Sequence, residues 1–312
     1  MLKTSEASLT SQTNRALRIR GAKPYYKTSF GAAYCGDALK LTKKIPSDCV
    51  NLVLTSPPFA LVRKKTYGNV DADKYVEWFM QFADDFHRIL RSDGSLVIHM
   101  GGSWVKGKPI KSLHLFELLV RLCKEAKFHL AQDLYWFNSA KLPSPAQWVT
   151  VKRWRLKDAV DHVWWLCKTP YPKADNRNVL AKYSRSMENL LEDKDYYKPN
   201  VTRPSEHRIS AKFRNRHKGP IPPNLFTFAN TDSQSRYLTM CRINNIRPHP
   251  ARYPEELPAF LIKLLTDEGD MVFDPFGGSN ATGSAAEALR RRWITFEIVR
   301  EYLEASMFRF DL

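Results

Sequence analysis

Val50-Asn51-Leu52-Val53-Leu54 runs without a break into Thr55-Ser56-Pro57-Pro58-Phe59. The first five residues form a short, β-branched-rich apolar run, the pattern of a parallel strand buried on both faces. The next five cannot continue it. Two successive prolines fix φ and remove two backbone donors, so the chain leaves the sheet stiffly, with carbonyls that no ladder occupies. A hydroxyl and an aromatic ring stand beside those carbonyls. The set suits a flat, amine-bearing ring: Ser56 and the Pro57 carbonyl accept from the amine, and Phe59 stacks on the ring. The same residues also read as a Pro-rich turn after a strand, so the rest of the chain has to decide.

Outward from this point, short apolar runs alternate with helical patterns between about Ser29 and Trp165. SLVIHM (95–100) and DLYWF (133–137) read as strands, while residues 73–90 and 112–126 carry apolar side chains at helical spacing. From about Pro170 to Pro248 the composition shifts to Pro, Asn, Arg, Lys and Ser, and apolar periodicity weakens. The α/β pattern then returns with PEELPAFLIKLLT as a helix, MVFD as a strand, ATGSAAEALRRR as a helix and WITFE as a strand. The expected fold is α/β: a doubly wound, mostly parallel sheet covered on both faces and interrupted by an irregular basic insert. The expected divisions are a polar, basic arm at 1–24, sheet-forming segments at 25–169 and 249–312, and the insert at 170–248.

Charge and cysteine usage narrow the class. Lys and Arg number 49 against 32 Asp and Glu, a formal charge of +17. That balance points to a polyanionic partner, most simply nucleic acid, although ribosome-associated and membrane-surface proteins share it. The five cysteines (Cys35, Cys49, Cys123, Cys167, Cys241) show no CxxC or CxxH spacing. With no signal peptide, they point to a reducing cytosol and away from a zinc site, so no metal is expected. No apolar run approaches the length of a membrane span.

A second centre follows MVF: Asp274-Pro275-Phe276-Gly277-Gly278-Ser279-Asn280. A Gly-rich turn at the carboxyl end of a strand lets a small molecule approach the backbone, where open α/β sheets bind ligands. Glu297 ends the WITF strand, where a carboxylate meets a ribose hydroxyl pair. GGSNATG is not a GxGxxG fingerprint and contains no Walker lysine. Asp274 opens the turn and suits an ammonium better than a pyrophosphate. The competing reading is a strand–helix turn with incidental acids.

Taken together, TSPPFALVRKKTYGN (55–69), YWFNSAKLPSP (135–145), IPPNL (221–225), HPARYP (249–254) and DPFGGSN (274–280) occur in this order. The series resembles the amino-group DNA methyltransferases that use S-adenosylmethionine, in the N4-cytosine subgroup whose catalytic motif precedes the cofactor motif. The resemblance implies the S-adenosylmethionine-dependent methyltransferase fold in permuted order. It places Ser56, Pro57, Pro58 and Phe59 in the catalytic motif. Asp274, Phe276, Gly278 and Ser279 match the methionine end of the cofactor site, with Thr55 beside them, and Glu297 matches the ribose acid. Asp37, in YCGDALKL, matches the position that reads the adenine amine. His249 and Arg252 belong to the segment that closes over the methionine. Asn280 stands where the family usually has a second glycine. Asn tolerates left-handed geometry, so the turn survives and cofactor affinity is the property at stake.

The resemblance further implies double-stranded DNA as partner, with a cognate restriction endonuclease acting on the same site, a monomer, and a bacterial cytoplasm with association to the nucleoid. Extended to the target site, it implies CAGCTG. The chemistry needs no nucleophile. Both amine hydrogens are taken by acceptors, nitrogen pyramidalises, and positioning with preorganised dipoles supplies the acceleration. Carbon-5 methylation needs a cysteine that attacks the ring, and no cysteine here follows a proline in that arrangement. In a duplex the cytosine has to be flipped out, at a cost of a few kcal/mol.

Arg63, Lys64 and Lys65 follow the catalytic motif and fit phosphate contact at the mouth of the site. Lys152, Arg153 and Arg155 interleave with Trp148 and Trp154, and the insert adds Arg203, Arg208, Lys212, Arg214 and Arg216. The insert is expected to read the target. Three rivals stay open: an adenine-N6 enzyme of the same family, which usually carries an acid or Asn at the Ser56 position and Tyr at Phe59, a nucleic-acid-binding protein without catalysis, and an RNA methyltransferase.

Overall fold

Nine strands form one sheet among the described residues, which are 19–60, 69–192, 215–230 and 234–312 of this computed structural model. In chain order they are β1 (Tyr26–Lys27), β2 (Gly31–Cys35), β3 (Val50–Thr55), β4 (Leu90–Met100), β5 (His129–Phe137), β6 (Val160–Cys167), β7 (Leu225–Phe226), β8 (Met271–Asp274) and β9 (Arg292–Glu297). Across the sheet they stand β1-β2-β9-β8-β3-β4-β6-β5-β7. Five of the eight pairings are parallel and three antiparallel. The helices are α1 (Ala38–Thr42), α2 (Ala72–Ile89), α3 (His114–Lys124), α4 (Arg185–Glu192), α5 (Arg236–Ile243), α6 (Glu256–Leu265), α7 (Ala281–Ala288) and α8 (Arg300–Ser306).

Every residue of β3 is buried, as a strand covered on both faces requires. Val53 packs with α1, α2 and α3 on one face, while Leu52 and Leu54 pack with α6, α7 and α8 on the other. Helix α2 shows why these faces hold. Its buried residues Tyr75, Val76, Phe79, Phe82, Ala83, Phe86 and Ile89 recur at helical spacing, and each fully buried aromatic contributes roughly 2–3 kcal/mol. The sheet is therefore doubly wound. The connection from β3 through α2 leads to β4 on one side, and that from β8 through α7 leads to β9 on the other. Between β3 and β8 the winding diverges, which places a ligand cleft beyond their carboxyl ends.

Strands β4 and β6, which flank the site, differ from the sequence pattern. Strand β4 begins at Leu90 rather than Ser95, because Leu90 pairs with Val50 before RSDG bulges out and Ser95 resumes the ladder opposite Leu52. Strand β6 has no counterpart in the pattern read from sequence. It runs antiparallel between β4 and β5, so the sheet is mixed at that end.

The chain divides into two units. Residues 224–312 return to the sheet-bearing unit, where β7 pairs with β5, and Tyr237 and Cys241 of α5 pack with Ala305 of α8. The second unit, Asp175–Pro223, contains α4 and a turn in which Ala181 N donates to the Pro220 carbonyl at 3.0 Å. A Cβ on Gly219 there would lie 2.0 Å from the Ala181 carbonyl oxygen, so only glycine fits that approach.

Candidate active site

The segment leaving β3 is held from several directions. Thr55 is fully buried, and Asn69 Nδ2 donates to the Phe59 carbonyl at 2.7 Å. The Phe59 ring meets His99 edge-on, with centroids 5.4 Å apart. Room for that ring depends on Gly101, where a Cβ would come within 2.5 Å of it. Ser56, Pro57, Pro58 and Phe59 line a cavity of about 660 Å³, within the usual range for small-molecule sites.

Three residues on this wall were not anticipated: His99, Asp161 and Lys141. Ser56 Oγ lies 2.9 Å from His99 Nδ1, and His99 Nε2 faces Asp161 Oδ2 at 3.5 Å. The other Asp161 oxygen is bonded by the Lys141 ammonium. Burial alone would raise the Asp161 carboxyl, but the His99 ring and the Lys141 ammonium together hold it below its ordinary range. One signal was present. His99 is the single polar residue in the apolar end of β4, at the carboxyl edge where ligands bind.

The opposite wall comes from the last third of the chain. Gly277 is required because a Cβ there would lie 2.0 Å from Thr295 Oγ1 of the adjoining strand. Gly278 stands at φ 52°, with a Cβ position 3.1 Å from the His249 ring. Asn280 adopts φ 56° and ψ 42°, the left-handed geometry its place in the turn demands. Its Oδ1 accepts from Gly283 N at 3.0 Å and caps α7, while its Nδ2 donates to Tyr26 Oη at 2.8 Å.

Glu297 lines the cavity. Its Oε2 accepts from Gly278 N at 2.9 Å and its Oε1 from Val299 N at 2.8 Å, yet burial still raises the carboxyl above its ordinary value. Asp37 also lines it and caps α1 by accepting from Leu39 N at 2.9 Å. Phe276 contributes a ring packed on Trp78 and Phe82. Ser279 is fixed by Arg309, which donates to its hydroxyl at 3.0 Å and pairs with Glu255.

Before α6, the His249 ring packs on Tyr302, and its Nδ1 lies 2.5 Å from the Ala251 carbonyl, which places the hydrogen on Nδ1. Burial pushes this imidazole down to about 4. Arg252 donates to the His249 carbonyl at 2.7 Å and lies over Tyr237.

Asp274, Thr55 and Asn280 are not on the cavity wall but behind it. Asp274 accepts from Thr55 Oγ1 at 2.7 Å, Thr282 Oγ1 at 2.8 Å and Phe276 N at 3.0 Å. Thr282 also bonds the Tyr253 hydroxyl, and the Tyr253 ring lies 5.8 Å from His99. A buried polar chain thus runs from Thr55 at the end of β3 to Tyr253, whose ring meets His99 edge-on.

Of the basic residues, Lys152 and Arg153 are exposed. Arg155 is turned inward, donating to the Pro109 carbonyl at 3.3 Å and to Asp158 at 3.4 Å. Trp148 and Trp154 stack on each other with centroids 5.5 Å apart, and Trp154 remains 64% exposed. Arg216 lies in the second unit, 3.9 Å from Glu188. Arg63, Lys64, Lys65, Arg203, Arg208, Lys212 and Arg214 lie outside the described residues. Among the described residues no His, Cys, Asp and Glu cluster could hold a metal ion, and no helix is long and apolar enough to cross a membrane.

A family profile described as DNA methylase (N6_N4_Mtase) matches residues 50–308. The type II methyltransferase M.PvuII of Proteus hauseri is 49% identical over 301 residues, covering 96% of this chain and 89% of the relative. The solved structure of PvuII DNA methyltransferase (cytosine-N4-specific) superposes with a TM-score of 0.76 and 44% identity, over 93% of this chain and 89% of that one. The M1.HpyAVI–SAM complex shares the fold, with a TM-score of 0.54 and 17% identity over 90% of this chain and 100% of that one.

Proposed function

The chain belongs to the DNA methylases of the N6_N4_Mtase family, and from that premise we infer a site-specific DNA methyltransferase that acts on the exocyclic N4 amine of cytosine. It is the modification enzyme of a type II restriction–modification system, and S-adenosylmethionine is its cofactor. The observation that carries the residue assignment is the meeting of Ser56 and Phe59 with Gly278 and Glu297 in one cavity.

The cavity fits the cofactor. Gly278 leaves a cradle against His249 that a side chain would fill, and Glu297 and Asp37 put carboxylates on the same wall. Glu297 would hold the ribose hydroxyls, Asp37 the adenine amine, and the turn from Phe276 to Ser279, with His249 and Arg252 over it, the methionine end. Thr55, Asp274 and Asn280 act on that end through the backbone of the turn. When bound, S-adenosylmethionine supplies an electrophilic sulfonium methyl. Ser56 and the Pro57 carbonyl take the hydrogens of the amine, Pro58 stiffens the segment, and Phe59 stacks on the flipped base.

Lys152 and Arg153 contact phosphates. Arg63, Lys64, Lys65, Arg203, Arg208, Lys212, Arg214 and Arg216 are assigned to the same duplex, with 170–248 as the target-reading region. The protein works as a monomer in the bacterial cytoplasm, on the nucleoid, alongside an endonuclease for the same site.

The test is to incubate the protein with S-adenosylmethionine and unmethylated plasmid, digest to nucleosides and identify the product by mass spectrometry. N4-methylcytosine is expected, and sequencing the modified positions gives the site, for which CAGCTG is the expectation. N6-methyladenine would overturn the base assignment.

A further inference from the structure

We propose that His99, oriented by Asp161, receives the proton that the methylated amine must shed, by way of the Ser56 hydroxyl. The proposal rests on the cytosine-N4 reading above. A neutral amine that takes a methyl from a sulfonium becomes a cation, and neutral product forms only when one of its protons leaves. A serine hydroxyl has no basicity to keep that proton. In this chain the hydroxyl leads somewhere.

The sheet register makes the connection. Ile98 of β4 stands opposite Thr55, so His99 falls level with Ser56 just beyond the end of β3. Opposite His99 on β6 stands Val163, and Asp161 is two residues along on the same face, a diagonal cross-strand neighbour. Ser56 Oγ, His99 and Asp161 thereby form a line, with 2.9 Å at Nδ1 and 3.5 Å at Nε2. Asp161 is 2% exposed, and Lys141 closes its far side. The Asp161 carboxylate lies 3.5 Å from Nε2, too far for a direct hydrogen bond, and its charge favours the tautomer with the ring hydrogen on Nε2. Nδ1 is then the acceptor for the Ser56 O–H, and the Ser56 lone pairs point to the amine.

The titratable and charged groups facing His99 are Asp161 from β6, Tyr253 from the segment before α6, and Lys141 behind Asp161. Phe59 and Trp136 are its other ring neighbours. Burial raises the Tyr253 phenol far above its ordinary value, which keeps it neutral. Among the described residues, Asp161 is the one anion against the ring.

The N4 lone pair forms the new N–C bond while the bond from that methyl to sulfur breaks, its electrons staying on sulfur. One N–H proton of the resulting cation passes to Ser56 Oγ as the Ser56 proton passes to His99 Nδ1. Neutral N4-methylcytosine, a neutral serine and an imidazolium facing Asp161 remain. The imidazolium returns its proton to solvent once product leaves the cavity. His99 is thus a positioning residue before transfer and a proton store after it.

The test is single-turnover methylation of duplex DNA across roughly pH 5 to 8, the range in which imidazole changes charge. Wild type is expected to lose rate towards acid with one titrating group. His99→Asn should be slower by roughly 10²-fold and lack that acid limb, with S-adenosylhomocysteine binding retained. Asp161→Asn should also slow transfer, because an imidazolium without its anion is less stable. A second readout needs no turnover. Nitrogen-15 NMR of the wild-type protein should show neutral His99 protonated on Nε2. An unchanged acid limb in His99→Asn, or a ring protonated on Nδ1, overturns the proposal. Methylation of adenine, or none at all, by the wild type would instead defeat the cytosine reading, while the NMR still decides the tautomer.

Discussion

Thr55 Oγ1 donates a 2.7 Å hydrogen bond to Asp274 Oδ1 across 219 residues of chain. It ties the end of β3 to the end of β8 at the point where the connections of the sheet diverge. Thr282 and Phe276 N supply the other donors to Asp274, and all three are neutral. Burial consequently dominates, and the carboxyl is pushed up from 3.8 to about 6.

That displacement has a definite sign. A folded-state pKa above the unfolded one means the folded protein binds the proton more tightly, so this group opposes folding above about 6 and ceases to as pH falls towards 3.8. The difference amounts to about 3 kcal/mol. Asp274→Asn removes the dependence. Urea unfolding of both proteins should show wild type gaining on the variant by about 2 kcal/mol between about pH 7 and about pH 4. A difference that stays flat over that window would mean the carboxyl does not titrate there.

Ser56→Ala removes the hydroxyl that faces the amine and leaves the cofactor cradle alone. Methyl transfer at saturating S-adenosylmethionine should fall by roughly 10²–10³-fold. Calorimetric titration should find cofactor affinity nearly unchanged. Asp274→Ala is expected to do the reverse, because it frees the turn that carries Phe276 and the two glycines. Equal loss of cofactor binding in both variants would contradict this division of roles.

How much of this was legible depended on whether the signal was local. VNLVLTSPPF announces a buried strand and a forced exit within ten residues, and DPFGGSN announces a turn that only glycines and an Asn can make. His99, Asp161 and Lys141 meet only because β6 inserts antiparallel between β4 and β5, a pairing that no local spacing encodes. Asp161 and His162 also interrupt the apolar run of β6, hiding it as a strand. Asp274 shows the opposite case. An acid opening a Gly-rich turn reads as a cavity residue, yet two threonines, one of them 219 residues away, occupy it behind the wall.

The Asn280 departure can be separated from the glycine requirement beside it. Gly278→Ala forces a side chain into φ 52° and against His249, a strain of roughly 1–2 kcal/mol that should lower cofactor affinity about tenfold. Asn280→Gly keeps the left-handed turn but loses the bonds to Gly283 and Tyr26. Its affinity should match wild type while its unfolding free energy falls by about 1 kcal/mol. Calorimetric titration and denaturant unfolding of the two variants check both halves.

Three cations in one short segment should behave differently on DNA. Lys152 and Arg153 are exposed, whereas Arg155 holds the segment by bonding the Pro109 carbonyl and Asp158. Each phosphate contact releases about one counterion, so Lys152→Ala and Arg153→Ala should each flatten the dependence of log Kd on log salt by about 1. Arg155→Ala should leave that slope near the wild-type value and instead speed hydrogen exchange over residues 147–156, where the Trp148–Trp154 stack loses its anchor. Fluorescence anisotropy on a duplex at several salt concentrations separates the two outcomes. A slope that flattens as much for Arg155→Ala as for Arg153→Ala would mean that Arg155 leaves its protein partners for a phosphate when DNA binds.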